Sequence, residues 1–286
     1  MREKFLNICR SPAVFQTILI LAGFVFLYTK AIQALISDWS ADPNFSHGFL
    51  IPPIALYMVW FNKDRLVNTA VKPSNWGLGV ILAGMVIHLL GHAGAELFLM
   101  RFSMIVTLAG IVIFLLGWSF LRTTAVPLFY LIMMIPIPAI IWNKIAFPLQ
   151  LMAAQLSAEL IQFIQIPVFR EGNILHLANT SLEVVDACSG LRSLTSLIAL
   201  TGIFAYLAPF TIVKKWILFL SAVPIAVAVN VIRLTITAAM AFYIGPDTAH
   251  GFLHDMSGLI IFAGALALVY LVFNIEMAIE RRQRKK

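Results

Sequence analysis

A polar cluster, Asp186-Ala187-Cys188-Ser189-Gly190-Leu191-Arg192-Ser193, interrupts a very apolar chain and runs directly into a membrane-length hydrophobic stretch. A cysteine at the first turn of such a helix feels the partial positive charge of the helix N-terminus. The nearby Arg192 guanidinium adds to it, so the thiolate is favoured over the thiol. A thiolate there is a nucleophile, although position alone also fits a small residue packed at a helix start. Two later residues bear on that choice. Arg233 lies inside the next hydrophobic run, where an arginine costs at least about 2.5–3.5 kcal/mol unless it faces protein or water. Its functional reading is an oxyanion partner, and the alternative is a side chain that snorkels to the headgroups. His254 stands just above the last hydrophobic run. It is a candidate proton carrier or an interfacial histidine without chemistry, and His250 is the neighbour that can exchange roles with it.

The elements that must position these residues are membrane helices. With 61% hydrophobic and 12% charged residues and a mean hydropathy of +0.93, the composition excludes a soluble globular domain. Spans of about 20 apolar residues are needed to cross a bilayer. Eight segments are predicted, at about 13–36, 47–61, 76–92, 102–120, 124–142, 188–208, 216–244 and 256–276, the second and third being short. The fold class is therefore an all-α polytopic membrane protein of one domain, residues 1–286, with about eight transmembrane helices. With the N-terminus inside, only Lys30, Arg101, Lys144, Arg170, Arg192 and Arg233 of the 20 basic residues escape the cytoplasmic loops and tails. This asymmetry predicts both termini in the cytoplasm. The net charge of +7 is accounted for by topology and anionic lipid headgroups, with no nucleic-acid partner. The first segment reads as an uncleaved anchor. Cys9 and Cys188 fall on opposite faces and cannot form a disulfide.

Residues 143–187 form an insertion on the non-cytoplasmic face. Residues 144–165 mix apolar positions with a sparse polar face, as an interfacial helix does. The stretch 168–186 alternates apolar and polar residues around Gly172-Asn173 and Asn179-Thr180-Ser181 turns, which predicts a small β-hairpin or meander leading to Cys188. Such an element can hold an extended peptide by strand addition, or be an edge strand without a ligand. Arg233 lies 18 residues beyond Lys215, about 27 Å along a helix. Three consecutive segments thus bring Cys188, Arg233 and His254 to one depth.

The stretch Glu183-Val-Val-Asp-Ala-Cys188-Ser-Gly-Leu-Arg-Ser-Leu, the later Asn230-Val-Ile-Arg233, His254 before the last helix and the early Ser46-His47-Gly48-Phe-Leu-Ile-Pro52 together resemble the exosortase/archaeosortase family. The resemblance covers essentially the whole chain. It implies a membrane-embedded cysteine transpeptidase that processes exported proteins bearing a C-terminal sorting signal, in bacteria typically a Pro-Glu-Pro-like motif, a transmembrane helix and a basic tail. The family's Cys, Arg and His map onto Cys188, Arg233 and His254, and a histidine in the third position resembles the bacterial branch. That implies a multi-pass protein of the bacterial inner membrane with its active site on the periplasmic face. Its expected partners are the sorting-signal helix of the substrate, membrane lipid and an unidentified acceptor, and no cofactor is expected. Around the three residues, the Ser189 and Gly190 amides are candidate oxyanion donors, Arg192 can tune the thiolate or hold Asp186, and Asn230 shares a helical face with Arg233 and can orient it.

Other features stay outside this constellation. His88 and His92 are spaced i, i+4, as a metal pair can be, but no third ligand lies near in sequence, and two interfacial histidines fit equally. Ile135-Pro136-Ile137-Pro138 predicts a kink or helix end. Ser46-His47-Gly48, with Asp38 and Asp42, can line a substrate entrance or form a simple turn. The nearest rival function is an intramembrane cysteine protease that hands the acyl group to water. A transporter would show internal repeats and midplane polar residues, and a non-catalytic assembly subunit would leave the three convergent residues unused.

Overall fold

The computed structural model describes residues 12–184, 191–245 and 252–283, apart from the side chains of residues 12, 13, 191, 192, 252–257, 259 and 283. Among the described residues five helices are long and apolar enough to cross a membrane, or six if residues 118–134 and 139–163 count as one broken span. The chain divides into two compact units, Met1–Ile137 and Pro138–Lys286.

The first unit contains α1 (Pro12–Ala41), a 3₁₀ turn (Ser46–Phe49), α2 (Ile51–Phe61), the short α3 (Lys63–Val67), α4 (Trp76–Ala93), α5 (Leu97–Leu116), α6 (Trp118–Tyr130) and a second 3₁₀ turn, Leu131–Met134. Its tightest pairing is α4 against α5. Gly77, Gly84 and Gly91 recur every seven residues along α4, the period that keeps one seam facing a partner helix. A Cβ at Gly77 would fall 2.3 Å from the backbone nitrogen of Phe114, one at Gly84 2.2 Å from Thr107 Oγ1, and one at Gly91 2.8 Å from the nitrogen of Met100. The glycines bring the two backbones together, the close approach that small residues permit between membrane helices. Polar groups fill the seam. The Tyr28 hydroxyl lies 2.8 Å from Thr107 Oγ1 and 3.1 Å from Ser103 Oγ, with the His88 ring edge-on to Tyr28.

Two features correct the expected boundaries in this unit. The segment expected at 102–120 is α5, which starts earlier because the Glu96 carboxylate caps the Leu99 amide at 2.8 Å. It stops at Gly117, whose φ of +93° suits only glycine and where a Cβ would lie 2.0 Å from the Lys72 carbonyl oxygen. Arg101, expected just outside the segment at 102–120, is 3% exposed inside α5 and pairs with Asp38 at 2.6 Å. The Ser46-His47-Gly48 motif is a packed turn: Gly48 lies under the Trp39 indole, Trp39 Nε1 donates to the Met134 carbonyl at 2.9 Å, and His47 Nε2 is 3.2 Å from the Met133 carbonyl.

The second unit contains α7 (Ala139–Phe163), strands β1 (Val168–Glu171), β2 (Ile174–Leu177) and β3 (Ser181–Glu183), α8 (Leu191–Leu207), α9 (Ile212–Tyr243) and α10 (Phe252–Gln283). The helix expected at 144–165 begins at Ala139 instead, taking in the end of the fifth expected segment. Pro136 and Pro138 break the preceding helix, and the chain is free to turn helical immediately after Pro138. α7 ends with Gln165 at φ +64°, while the Ile166 amide returns to the Ile161 carbonyl and its side chain is buried. This left-handed cap turns the chain into the sheet. The sheet is an antiparallel meander in the order β1-β2-β3, with Phe169 opposite His176 and Leu175 opposite Leu182. Its inner side chains Leu175, Leu177 and Leu182 share one core with Ala154 and Ile161 of α7 and with Leu234, Ala238 and Ala241 of α9.

Among the described residues eight full spans are not seen: the expected segment at 47–61 holds α2, whose 11 residues cover about 16 Å against a hydrocarbon core of about 30 Å.

Candidate active site

α9 is one continuous helix of 32 residues, so Lys215 and Arg233 do stand on a single rod, about 27 Å apart along it. Its cytoplasm-expected end is tied down by Lys214 to Glu280 of α10 and by Lys215 Nζ to the Tyr206 carbonyl at 2.7 Å. The other end carries the candidate residues. Arg233 is partly buried and engaged in an interaction. Asn230, one turn earlier on the same side, is 3% exposed, and its Nδ2 has no hydrogen-bond partner among the described residues. A buried amide donor left unpaired is costly.

α8, α9 and α10 all pack against one another. These are the three helices that carry or border the residues singled out from sequence. Arg192 falls in the first turn of α8 and His254 in the first turn of α10, and the side chains of both lie outside the described residues. Asp186, Cys188, Ser189 and His250 lie outside them entirely, as does Cys9.

The chain ahead of Cys188 is pinned at Val184. Val184 is fully buried; its amide donates to the Asn173 carbonyl at 2.9 Å and its carbonyl accepts from Asn173 Nδ2 at 3.3 Å. It belongs to the same core as Leu234, the neighbour of Arg233. Cys188 is four residues on from Val184, a reach of at most about 14 Å, and α8 starts three residues after it. A second clasp joins the sheet to α9: Asn179 Nδ2 donates at 2.7 Å to the carbonyl of Ala241, one of the last-turn carbonyls that have no intrahelical donor. Sequence reasoning missed both asparagine clasps. Asn173 and Asn179 were legible only as turn residues, because their partners are distant in sequence.

Among the described residues no group of three or more His, Cys, Asp and Glu side chains is arranged to hold a metal ion. His88 instead meets Ser103 Oγ at 3.5 Å and the Tyr28 ring.

Comparison with curated proteins and with solved structures finds no match. The pattern that describes transmembrane exosortases matches residues 39–271, a stretch containing the Cys188 segment, Arg233 and His254. With that pattern running through both units and across all three helices of the candidate site, the chain belongs to the transmembrane exosortase family.

Proposed function

We propose that this protein is a cysteine transpeptidase of the bacterial inner membrane that removes the C-terminal sorting signal of exported proteins and passes them to an acceptor. The single observation carrying the reading is the family match over residues 39–271, which spans the Cys188, Arg233 and His254 positions. The mutual packing of α8, α9 and α10 and the buried, unpaired Asn230 amide support it.

In this reading the Cys188 thiolate attacks the carbonyl carbon of the scissile peptide bond, and the Arg233 guanidinium takes up the oxyanion. One such donor is worth about 3–4 kcal/mol of transition-state stabilisation. Collapse of the tetrahedral intermediate breaks the C–N bond. The leaving amine takes a proton from the His254 imidazolium, leaving an acyl thioester on Cys188. The neutral His254 ring then removes a proton from the acceptor nucleophile, which attacks the thioester and regenerates the thiolate. Ser189 supplies a backbone donor and Asn230 its free amide, while Arg192 favours the thiolate or holds Asp186; His250 flanks the proton carrier. The active site faces the periplasm and both termini lie in the cytoplasm, in keeping with the distribution of lysine and arginine. The substrate's sorting helix packs in the membrane against the protein.

The test is co-expression of wild-type or Cys188→Ala protein with a tagged substrate ending in a Pro-Glu-Pro-type motif, a transmembrane helix and a basic tail. The new C-terminus is read by mass spectrometry. Processing that depends on Cys188 and leaves added mass on the product is the expected result. A bare carboxylate would mean hydrolysis in place of transfer.

A further inference from the structure

Within residues 138–286 an open cavity of about 690 Å³ lies between the first half of α7 and the sheet. Asn143, Lys144, Phe147 and Gln150 line it from α7, and Asn173 and Glu183 from the sheet. We propose that this groove is a subsite for an extended, polar segment of the substrate protein next to the scissile bond. The proposal rests on the transpeptidase reading and supplies it with a peptide-binding surface.

Three observations point to a peptide. Asn143 and Gln150 carry carboxamides, which present one donor group and one acceptor, the same pair that each peptide unit presents, while Asn173 on the facing wall holds Val184 with its own. Pro148, also in the lining, has no N–H, so the backbone hydrogen bond it would otherwise give to the Lys144 carbonyl is missing from α7 at the wall of the groove. Lys144 and Glu183 bring opposite charges from opposite walls, and neither is ion-paired among the described residues. A bound segment can meet a cation on one side and an anion on the other, which sets its direction. An apolar sorting helix would leave these groups desolvated and unmet, so the occupant is the polar chain ahead of such a helix.

The position of the groove is what links it to the chemistry. Glu183 ends β3 and is followed by Val184, the residue that Asn173 clasps through both its amide and its carbonyl. Cys188 is four residues further on, within about 14 Å of chain. A peptide lying in the groove therefore runs within a few residues' length of the nucleophile. The volume is in the range of pockets that enclose small ligands or short peptide segments.

The test uses the full-length protein in membranes with the tagged substrate described above. A photocrosslinking p-benzoylphenylalanine replaces Phe147, in the groove, or Phe163, exposed at the far end of the same helix, both in a Cys188→Ala background so that binding is read without turnover. The expected result is a substrate crosslink from position 147 that maps to the residues beside the cleavage site, with little or none from 163. In the otherwise wild-type protein, Lys144→Glu raises KM about three- to tenfold, as loss and reversal of one exposed charge contact implies, and leaves kcat unchanged. No crosslink from 147, or equal crosslinking from 163, while processing still depends on Cys188 would overturn the groove. A crosslink from 147 together with processing that survives Cys188→Ala would keep the groove as a peptide site and overturn the transpeptidase reading.

Discussion

Replacing Gly84 by alanine tests the packing of the first unit with one methyl group. The added Cβ would lie 2.2 Å from Thr107 Oγ1, 3.0 Å from the Thr107 nitrogen and 3.2 Å from its Cα. The hydroxyl can rotate away, but doing so breaks its 2.8 Å contact with Tyr28. Such a bond between membrane helices is worth about 0.6 kcal/mol on average and up to about 1.7. The backbone atoms cannot rotate away, so α4 and α5 must part by a few tenths of an ångström along a seam that two further glycines hold close. Overpacking of this kind costs about 1–3 kcal/mol, so the two effects together come to about 2–5 kcal/mol. Gly79, on the same helix, has open space around the corresponding position. Gly79→Ala should be neutral or slightly stabilising, because alanine is the better helix former. Reversible unfolding in mixed micelles, or steric trapping in bilayers, measures both. A second arm sharpens the result: in a Thr107→Ala background the hydroxyl clash is gone, and Gly84→Ala should cost less than in the wild type by the share of that hydroxyl, about 0.6–1.7 kcal/mol. Equal stability of Gly84→Ala and Gly79→Ala would refute the reasoning.

Other consequences are open to the same methods. Asp38→Ala strands the Arg101 guanidinium, which is 3% exposed, and should cost about 3–5 kcal/mol; adding Arg101→Leu should recover much of that in the unfolding assay. Asn179→Ala removes the clasp on the Ala241 carbonyl. It should cost about 0.5–1.5 kcal/mol and speed hydrogen exchange selectively in the β2–β3 turn and the last turn of α9. Arg233→Gln should slow single-turnover processing by a factor on the order of 10²–10³ with the folded fraction unchanged. A change under threefold would remove Arg233 from the oxyanion role.

The sequence made the main elements readable where one signal dominated. The alternation around Gly172-Asn173 announced the meander, and Pro136 and Pro138 announced the helix break. Segment counting failed where hydropathy cannot register a stop. Gly117, in a left-handed conformation, divides an apolar stretch that reads as continuous, and α2 is apolar throughout yet, at 11 residues, too short to span alone. The Gly77, Gly84, Gly91 repeat was present in the sequence as a heptad signal, but its meaning depended on α5 being the partner. Arg101 fell just outside an expected segment because its counter-ion, Asp38, is 63 residues away. At the candidate site, residue types suggested the chemistry. The Asn173 and Asn179 clasps and the α7 groove depend on pairings between distant parts of the chain, for which local sequence carries no signal.

The measurement that bears most directly on the central claim is intact-mass analysis of the full-length protein isolated with its tagged substrate, alongside the same preparation of Cys188→Ala. The account predicts an adduct equal in mass to the N-terminal product, mapped to Cys188, released by hydroxylamine as a thioester is, and absent together with all processing in Cys188→Ala. Processing that continues at the wild-type rate in Cys188→Ala would contradict it.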